Sequence, residues 1–228
     1  MKNSFLLPSS EEEAVKLQQA LRELVDIRSK LELGKVKNVC GLDVAYHNES
    51  DTLIAGAAVL KFPDLELIET KIHIDIAHFP YIPSLFSFRE LPPLLDAIKL
   101  LETEIDLFVC DGQGIAHPRG FGLASHLGVV LDKPSIGCGK SNLCGEYTLP
   151  DAKKGGYSNI ILNEKTIGRA LRTQDEKNPI FISVGHKCTL EDATMIVDQL
   201  TPKYRLPETT RQTDQLVKRS LSELKLRN

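Results

Sequence analysis

The run Asp106-Leu107-Phe108-Val109-Cys110-Asp111-Gly112-Gln113-Gly114 drives a short apolar strand into a carboxylate followed by glycines. An acid at a strand end, beside backbone that a ligand can approach closely, suits metal and phosphate chemistry. Asp43 repeats the situation inside Val39-Cys40-Gly41-Leu42-Asp43-Val44-Ala45-Tyr46, where a carboxylate is costly to bury without a partner. Either acid alone reads equally well as a strand-end residue held by a neighbouring turn. Two on separate apolar strands are harder to dismiss. If the strands are neighbours, both carboxylates meet at one point of a sheet. Hard oxygen ligands with neither thiolates nor a histidine-rich set select magnesium, with manganese as the alternative.

Two further acids stand near element boundaries: Glu90, which closes Ser87-Phe88-Arg89-Glu90, and Asp214, which follows Leu206-Pro207-Glu208-Thr209-Thr210-Arg211 by a few residues. Taken singly, Glu90 compensates a helix N-terminus and Asp214 is an exposed helix acid. His117, in Ile115-Ala116-His117-Pro118-Arg119, can donate to a phosphate, orient water or bind a base, although a lone loop histidine is ordinarily polar surface. Lys140, in Gly137-Cys138-Gly139-Lys140-Ser141, brings an ammonium to a glycine setting open to an anion, but the spacing is not that of a Walker loop. Gly112-x-Gly114 likewise lacks the third glycine of a dinucleotide fingerprint. Pro80-Tyr81-Ile82-Pro83 sets an aromatic and an aliphatic between prolines, either a rigid loop whose tip enters a base stack or a loop tucked against the core.

The elements that must position these residues follow from periodicity. Ser10-Glu11-Glu12-Glu13 is a capping box opening a helix that runs to about Arg28. Strands are predicted at Asn38 to Tyr46, Leu53 to Phe62 and Leu67 to Ile76, and their short connections imply an antiparallel meander. Pro92-Pro93 fits the first turn of a helix with Leu94, Leu95, Ile98 and Leu101 on its apolar face. A strand at Leu107 to Cys110, a helix at Phe121 to Leu131, a short strand at Ser135 to Gly137 and an irregular glycine-rich segment come next. A strand at Ile180 to Val184 and helices at Leu190 to Leu200 and Thr210 to Leu226 complete the chain. The order predicts an α/β fold: a partly antiparallel, mixed sheet flanked by helices.

The chain has 228 residues, 42% hydrophobic and 26% charged, which suits one globular domain over residues 1–228. Its net charge of -3 leaves any nucleic-acid contact to local patches, such as Lys203 to Asn228, where Lys203, Arg205, Arg211, Lys218, Arg219, Lys225 and Arg227 outnumber Glu208, Asp214 and Glu223. A solvated helix face is the ordinary explanation of that patch. Five cysteines without Cys-x-x-Cys spacing point to buried thiols in a reducing compartment, not to zinc or disulfides. The longest uncharged apolar run, Leu53 to Leu60, is too short to span a bilayer, so a cytoplasmic protein without membrane partners is expected.

Together the pieces resemble the endonuclease V family of deoxyinosine-directed repair nucleases, which have a ribonuclease H-like fold. The resemblance is carried by Gly41-Leu42-Asp43-Val44-Ala45-Tyr46, Pro80-Tyr81-Ile82-Pro83 continuing to Phe88-Arg89-Glu90, and Asp111-Gly112-Gln113-Gly114-Ile115-Ala116-His117-Pro118-Arg119. Gly139-Lys140-Ser141, Ser183-Val184-Gly185-His186 and Arg205-Leu206-Pro207-Glu208-x-Thr210-Arg211 add to it. It implies Asp43, Glu90 and Asp111 as catalytic metal-binding acids. Asp214 stands where some members carry histidine. Tyr81, flanked by Pro80, Ile82 and Pro83, becomes the wedge that separates bases, and Lys140, His117 and Gly112 line the DNA and the flipped base.

The resemblance also implies Mg2+ dependence, action on deoxyinosine-containing DNA, and cutting at the second phosphodiester bond 3′ to the lesion, leaving a 3′-hydroxyl and a 5′-phosphate; a monomer is expected. An endonuclease acting on inosine-containing RNA, a non-cleaving nucleic-acid-binding module and a nucleotide-dependent enzyme are the competing expectations.

Overall fold

The computed structural model describes residues 5–226, so Arg227 of the basic patch lies outside it. Helix α1 (Glu11–Arg22) opens the fold, capped by Ser10, whose Oγ accepts from the Glu13 amide at 3.2 Å. It stops before the expected Arg28 because the Asp26 carboxylate accepts from the Arg28 and Ser29 amides at 2.8 and 3.0 Å, offering the backbone a turn in place of another helical turn.

Strands β1 (Asn38–Tyr46), β2 (Thr52–Lys61) and β3 (Leu67–Ile76) form the predicted antiparallel meander. Helix α2 (Ser87–Lys99) then returns the chain to β4 (Leu107–Cys110), which pairs parallel to β1. Helix α3 (Leu123–Leu131) leads to β5 (Ser135–Gly139), parallel to β4. Strands β6 (Tyr157–Leu162), β7 (Lys165–Leu171) and β8 (Ile180–His186) follow, then α4 (Leu190–Gln199) and α5 (Glu208–Lys225). The eight strands lie in the order β3-β2-β1-β4-β5-β8-β7-β6, a ribonuclease H-like mixed sheet with helices on both faces.

Alternation along β1 sorts the two cores. Cys40 and Leu42 face Leu91, Leu94 and Leu95 of α2. Val39 belongs with Val109, Ile182 and Val184 to the core under Ile196 and Val197 of α4.

Two further elements depart from expectation. Helix α2 begins at Ser87, leaving Pro92 and Pro93 inside it. The buried side chains of Phe88, Leu91, Leu94 and Leu95 reward helix over the whole stretch, although the prolines deprive the Phe88 and Arg89 carbonyls of i+4 donors. The glycine-rich segment expected to be irregular instead contains the β6–β7 hairpin. Its turn places Asn163 and Glu164 at φ 49° and 63°. Glycine is the usual residue there, and a glutamate conceals the signal.

Candidate active site

The parallel register pairs Leu42 with Cys110, so Asp43 and Asp111, the next residues, leave neighbouring strands side by side. The Asp111 amide donates to the Leu42 carbonyl at 3.0 Å, extending the pairing to the acids themselves. Neighbouring strands stand about 4.8 Å apart, so the two carboxylates share one end of the sheet.

Asp43 points to the face that carries Gly41, and α5 lies on that face. A Cβ on Gly41 would stand 2.5 Å from the Thr209 carbonyl oxygen, and one on Gly56 2.5 Å from Val217 Cγ1. Those glycines let α5 lie directly on β1 and β2, which brings Asp214 to the acids. Glu90 arrives from the opposite face at the start of α2, where the Tyr46 hydroxyl donates to its Oε1 at 2.6 Å. The Arg89 guanidinium lies 5.5 Å from the centre of the Tyr46 ring.

Lys140, just past β5, donates from Nζ to Asp111 Oδ2 at 2.5 Å and stands 3.9 Å from Asp214 Oδ1. Its backbone carbonyl accepts from Arg205 Nη2 at 3.1 Å.

The charges are unbalanced. Burial, reinforced by the Asp111 charge, pushes Asp43 up to about 7 against the pull of Lys140. Burial also pushes Glu90 up to about 8, aided by Asp43 and Asp111 and opposed by the Tyr46 hydrogen bond. Burial tends to lower Lys140, but the hydrogen bond and charge of Asp111 outweigh it and hold the ammonium above its usual range. Oxygen donors with excess negative charge fit a hard divalent cation such as Mg2+ or Mn2+. The acids are neighbours and not yet a cage: among the described residues, the one group of three ligand atoms within 4.8 Å of one another is His73, Asp75 and Asp96. That group sits on the opposite sheet face from Asp43, with Asp96 paired to Lys99 at 2.7 Å and Asp75 near His78 at 3.5 Å.

The loop residues divide by exposure. Tyr81 is 65% exposed at the tip, Pro80 and Pro83 are exposed, and Ile82 packs toward Phe79, Leu85 and Phe88. Gly112 has Leu123 and Phe86 as side-chain neighbours. His117 corrects the expectation of a surface contact. It is buried, its Nε2 bonds the Ser84 carbonyl at 2.9 Å, and its Nδ1 accepts from the Arg119 amide at 3.2 Å, so neither nitrogen is free for a base or phosphate. Burial, helped by the Arg119 charge, lowers His117 to about 4 and keeps the ring neutral. The sequence assigned no role to Tyr46, Arg89 or Gln18, and to Arg205 only a place in the basic patch; all but Gln18 lie within the quoted motifs, the one signal available.

The family model for Endonuclease V matches residues 19–215, which contain every one of these acids. The chain belongs to the Endonuclease V family. An Endonuclease V of Nostoc punctiforme is 44% identical over 209 residues, 92% of this chain and 94% of that protein. The crystal structure of Endonuclease V from Streptomyces avermitilis is 42% identical and superposes with a TM-score of 0.92, covering 96% of each chain. An Endonuclease V of Ciona intestinalis, solved in complex with a 24mer DNA containing an inosine followed by a ribo-adenosine, is 29% identical with a TM-score of 0.82, over 93% of this chain and 98% of that one. As an Endonuclease V, the chain is a nuclease, and no helix among the described residues is long and apolar enough to cross a membrane.

Proposed function

We propose that this single-domain, cytoplasmic Endonuclease V is a DNA-repair enzyme that recognises deoxyinosine and hydrolyses the second phosphodiester bond 3′ to it, leaving a 3′-hydroxyl and a 5′-phosphate. The observation that carries the reading is the side-by-side exit of Asp43 and Asp111 from β1 and β4, with Asp214 and Glu90 closing on them from opposite faces. A binding module has no use for acids gathered where a phosphate must sit.

Asp43, Glu90, Asp111 and Asp214 would hold Mg2+ or Mn2+. A divalent cation there supplies the Lewis acidity that activates water and steadies developing charge on the leaving oxygen. The chain's own residues do the rest. Tyr46 keeps the Glu90 carboxylate turned into the site. Arg205 fixes the backbone at Lys140, and the Lys140 ammonium neutralises the phosphate or orients the water that adds to phosphorus as the P–O3′ bond breaks. Tyr81 enters the stack, and the deaminated base, weakly paired and so less costly to extrude, swings out beside Gly112.

The Ciona complex, with a ribo-adenosine after the inosine, favours a second reading in which inosine-containing RNA is also cut. Both are tested by mapping, at nucleotide resolution, the cleavage of a duplex carrying one hypoxanthine and of its RNA counterpart, with and without magnesium. A cut between the first and second nucleotides 3′ of the lesion, seen only with the metal, is expected; metal-independent or unpositioned cutting overturns the reading.

A further inference from the structure

The loop that carries Tyr81 is held at both ends, and one of its holders comes from a helix with no evident link to the chemistry. At its start, the Phe79 carbonyl accepts from Arg89 Nη1 at 2.8 Å, and Arg89 Nη2 bonds Asp51 at 3.1 Å. At its end stands Ser84, in the left-handed region at φ 66°, where a side chain is strained by roughly 1–2 kcal/mol. Its carbonyl receives Gln18 Nε2 at 3.0 Å, Arg119 Nη2 at 2.8 Å and His117 Nε2 at 2.9 Å.

Gln18, on α1, is completely buried. The same amide nitrogen also donates to the Phe121 carbonyl at 3.1 Å, while its oxygen accepts from Arg119 Nε at 2.5 Å. Phe121 lies on the segment that runs from Asp111 to α3. One buried side chain therefore joins the loop bearing the exposed tyrosine to the segment that begins at a site carboxylate.

We propose that Gln18 is a positioning residue that fixes the Tyr81 loop relative to the acid centre, so that the tip meets a base stack already ordered. The inference rests on the reading of Tyr81 as the wedge. A buried glutamine with satisfied donors is common; what distinguishes this one is that its amide nitrogen bridges two functional segments and restrains a strained residue between them.

The chain has no tryptophan, so Tyr81→Trp gives a unique fluorescent probe of the loop. In that background, Gln18→Met is expected to lower the anisotropy of the probe and raise its quenching by acrylamide, with far-UV circular dichroism unchanged. In the otherwise native chain, Gln18→Met is expected to lower kcat/KM about tenfold on a hypoxanthine duplex and less than about twofold on a single-stranded hypoxanthine oligonucleotide, the scale of one lost buried hydrogen bond acting only where bases must be separated. If Gln18→Met does not fold, Gln18→Glu carries the same two expectations, because it keeps the shape and the acceptor for Arg119 and removes both donations to the carbonyls. A probe with unchanged anisotropy and quenching, or equal losses on both substrates, overturns the inference alone. A loosened loop with duplex cleavage intact overturns the wedge reading and the inference with it.

Discussion

The acid centre and the neck of the Tyr81 loop lie on adjoining parts of the fold, yet they handle polar groups in opposite ways. Around Asp43, carboxylates are packed at a sheet end, so burial first and their mutual repulsion second drive Asp43 and Glu90 upward, against the pull of Lys140 on the one and Arg89 on the other. Around Ser84, Gln18, His117 and Arg119 face protein partners, and His117 is driven downward to stay neutral. Groups left in electrostatic conflict are those held ready for an outside partner. Groups that satisfy one another are support. By that criterion His117, a motif histidine that reads as a surface contact, is support.

The largest effect should come from ending the conflict. Asp43→Asn or Asp111→Ala is expected to lower single-turnover cleavage by at least about a thousandfold, roughly 4 kcal/mol, while gel-shift binding of the hypoxanthine duplex survives. Retained turnover in Mg2+ would place the chemistry elsewhere.

Next comes the platform under the acids. In Gly41→Ala the added methyl meets the Thr209 carbonyl at 2.5 Å, so α5 must lift, at roughly 1–3 kcal/mol of stability read from urea unfolding, together with weaker metal binding read by calorimetry. An unchanged midpoint would mean that α5 does not bear on β1 as tightly as that distance implies.

On the supported side, Tyr81→Ala is expected to reduce discrimination between lesion and normal duplex about tenfold, with little change in salt-sensitive general binding. Equal loss on both duplexes would make Tyr81 a packing residue.

The smallest effect concerns pH. Asp43 and Glu90 have folded values of about 7 and 8 against 3.8 and 4.5 for ordinary carboxyls, so the folded state binds more protons between those limits. Their contribution to stability is present in full near pH 4 and is lost as pH rises through 7 and 8. Without metal, thermal unfolding should show a decline across that window, and Asp43→Asn should reduce it. A stability rising with pH in that window would reverse the sign assigned to the acid centre.

Much of this was legible in the chain itself. Asp43 and Asp111 stood out because a carboxylate in an apolar strand is anomalous whatever the fold, and the meander β1–β3 followed from alternation and short turns. The motifs around Tyr81, Glu90 and Lys140 carried the family. The β6–β7 hairpin stayed hidden because Glu164 occupies a backbone position that composition does not associate with glutamate. The upstream start of α2 was hidden because its prolines suggested a first turn while buried Phe88 and Leu91 determined the helix.

Residue types and local spacing therefore specified most of the elements and the family and singled out the acids, since those depend on chemistry within a few neighbours along the chain. That Asp43 and Asp111 leave paired strands in step, that Gly41 and Gly56 let α5 bring Asp214 to them, and that Gln18 reaches across more than sixty residues of sequence to Ser84 were settled only in three dimensions. Strand register and helix approach are set by packing between segments far apart in sequence, and no local pattern encodes that packing.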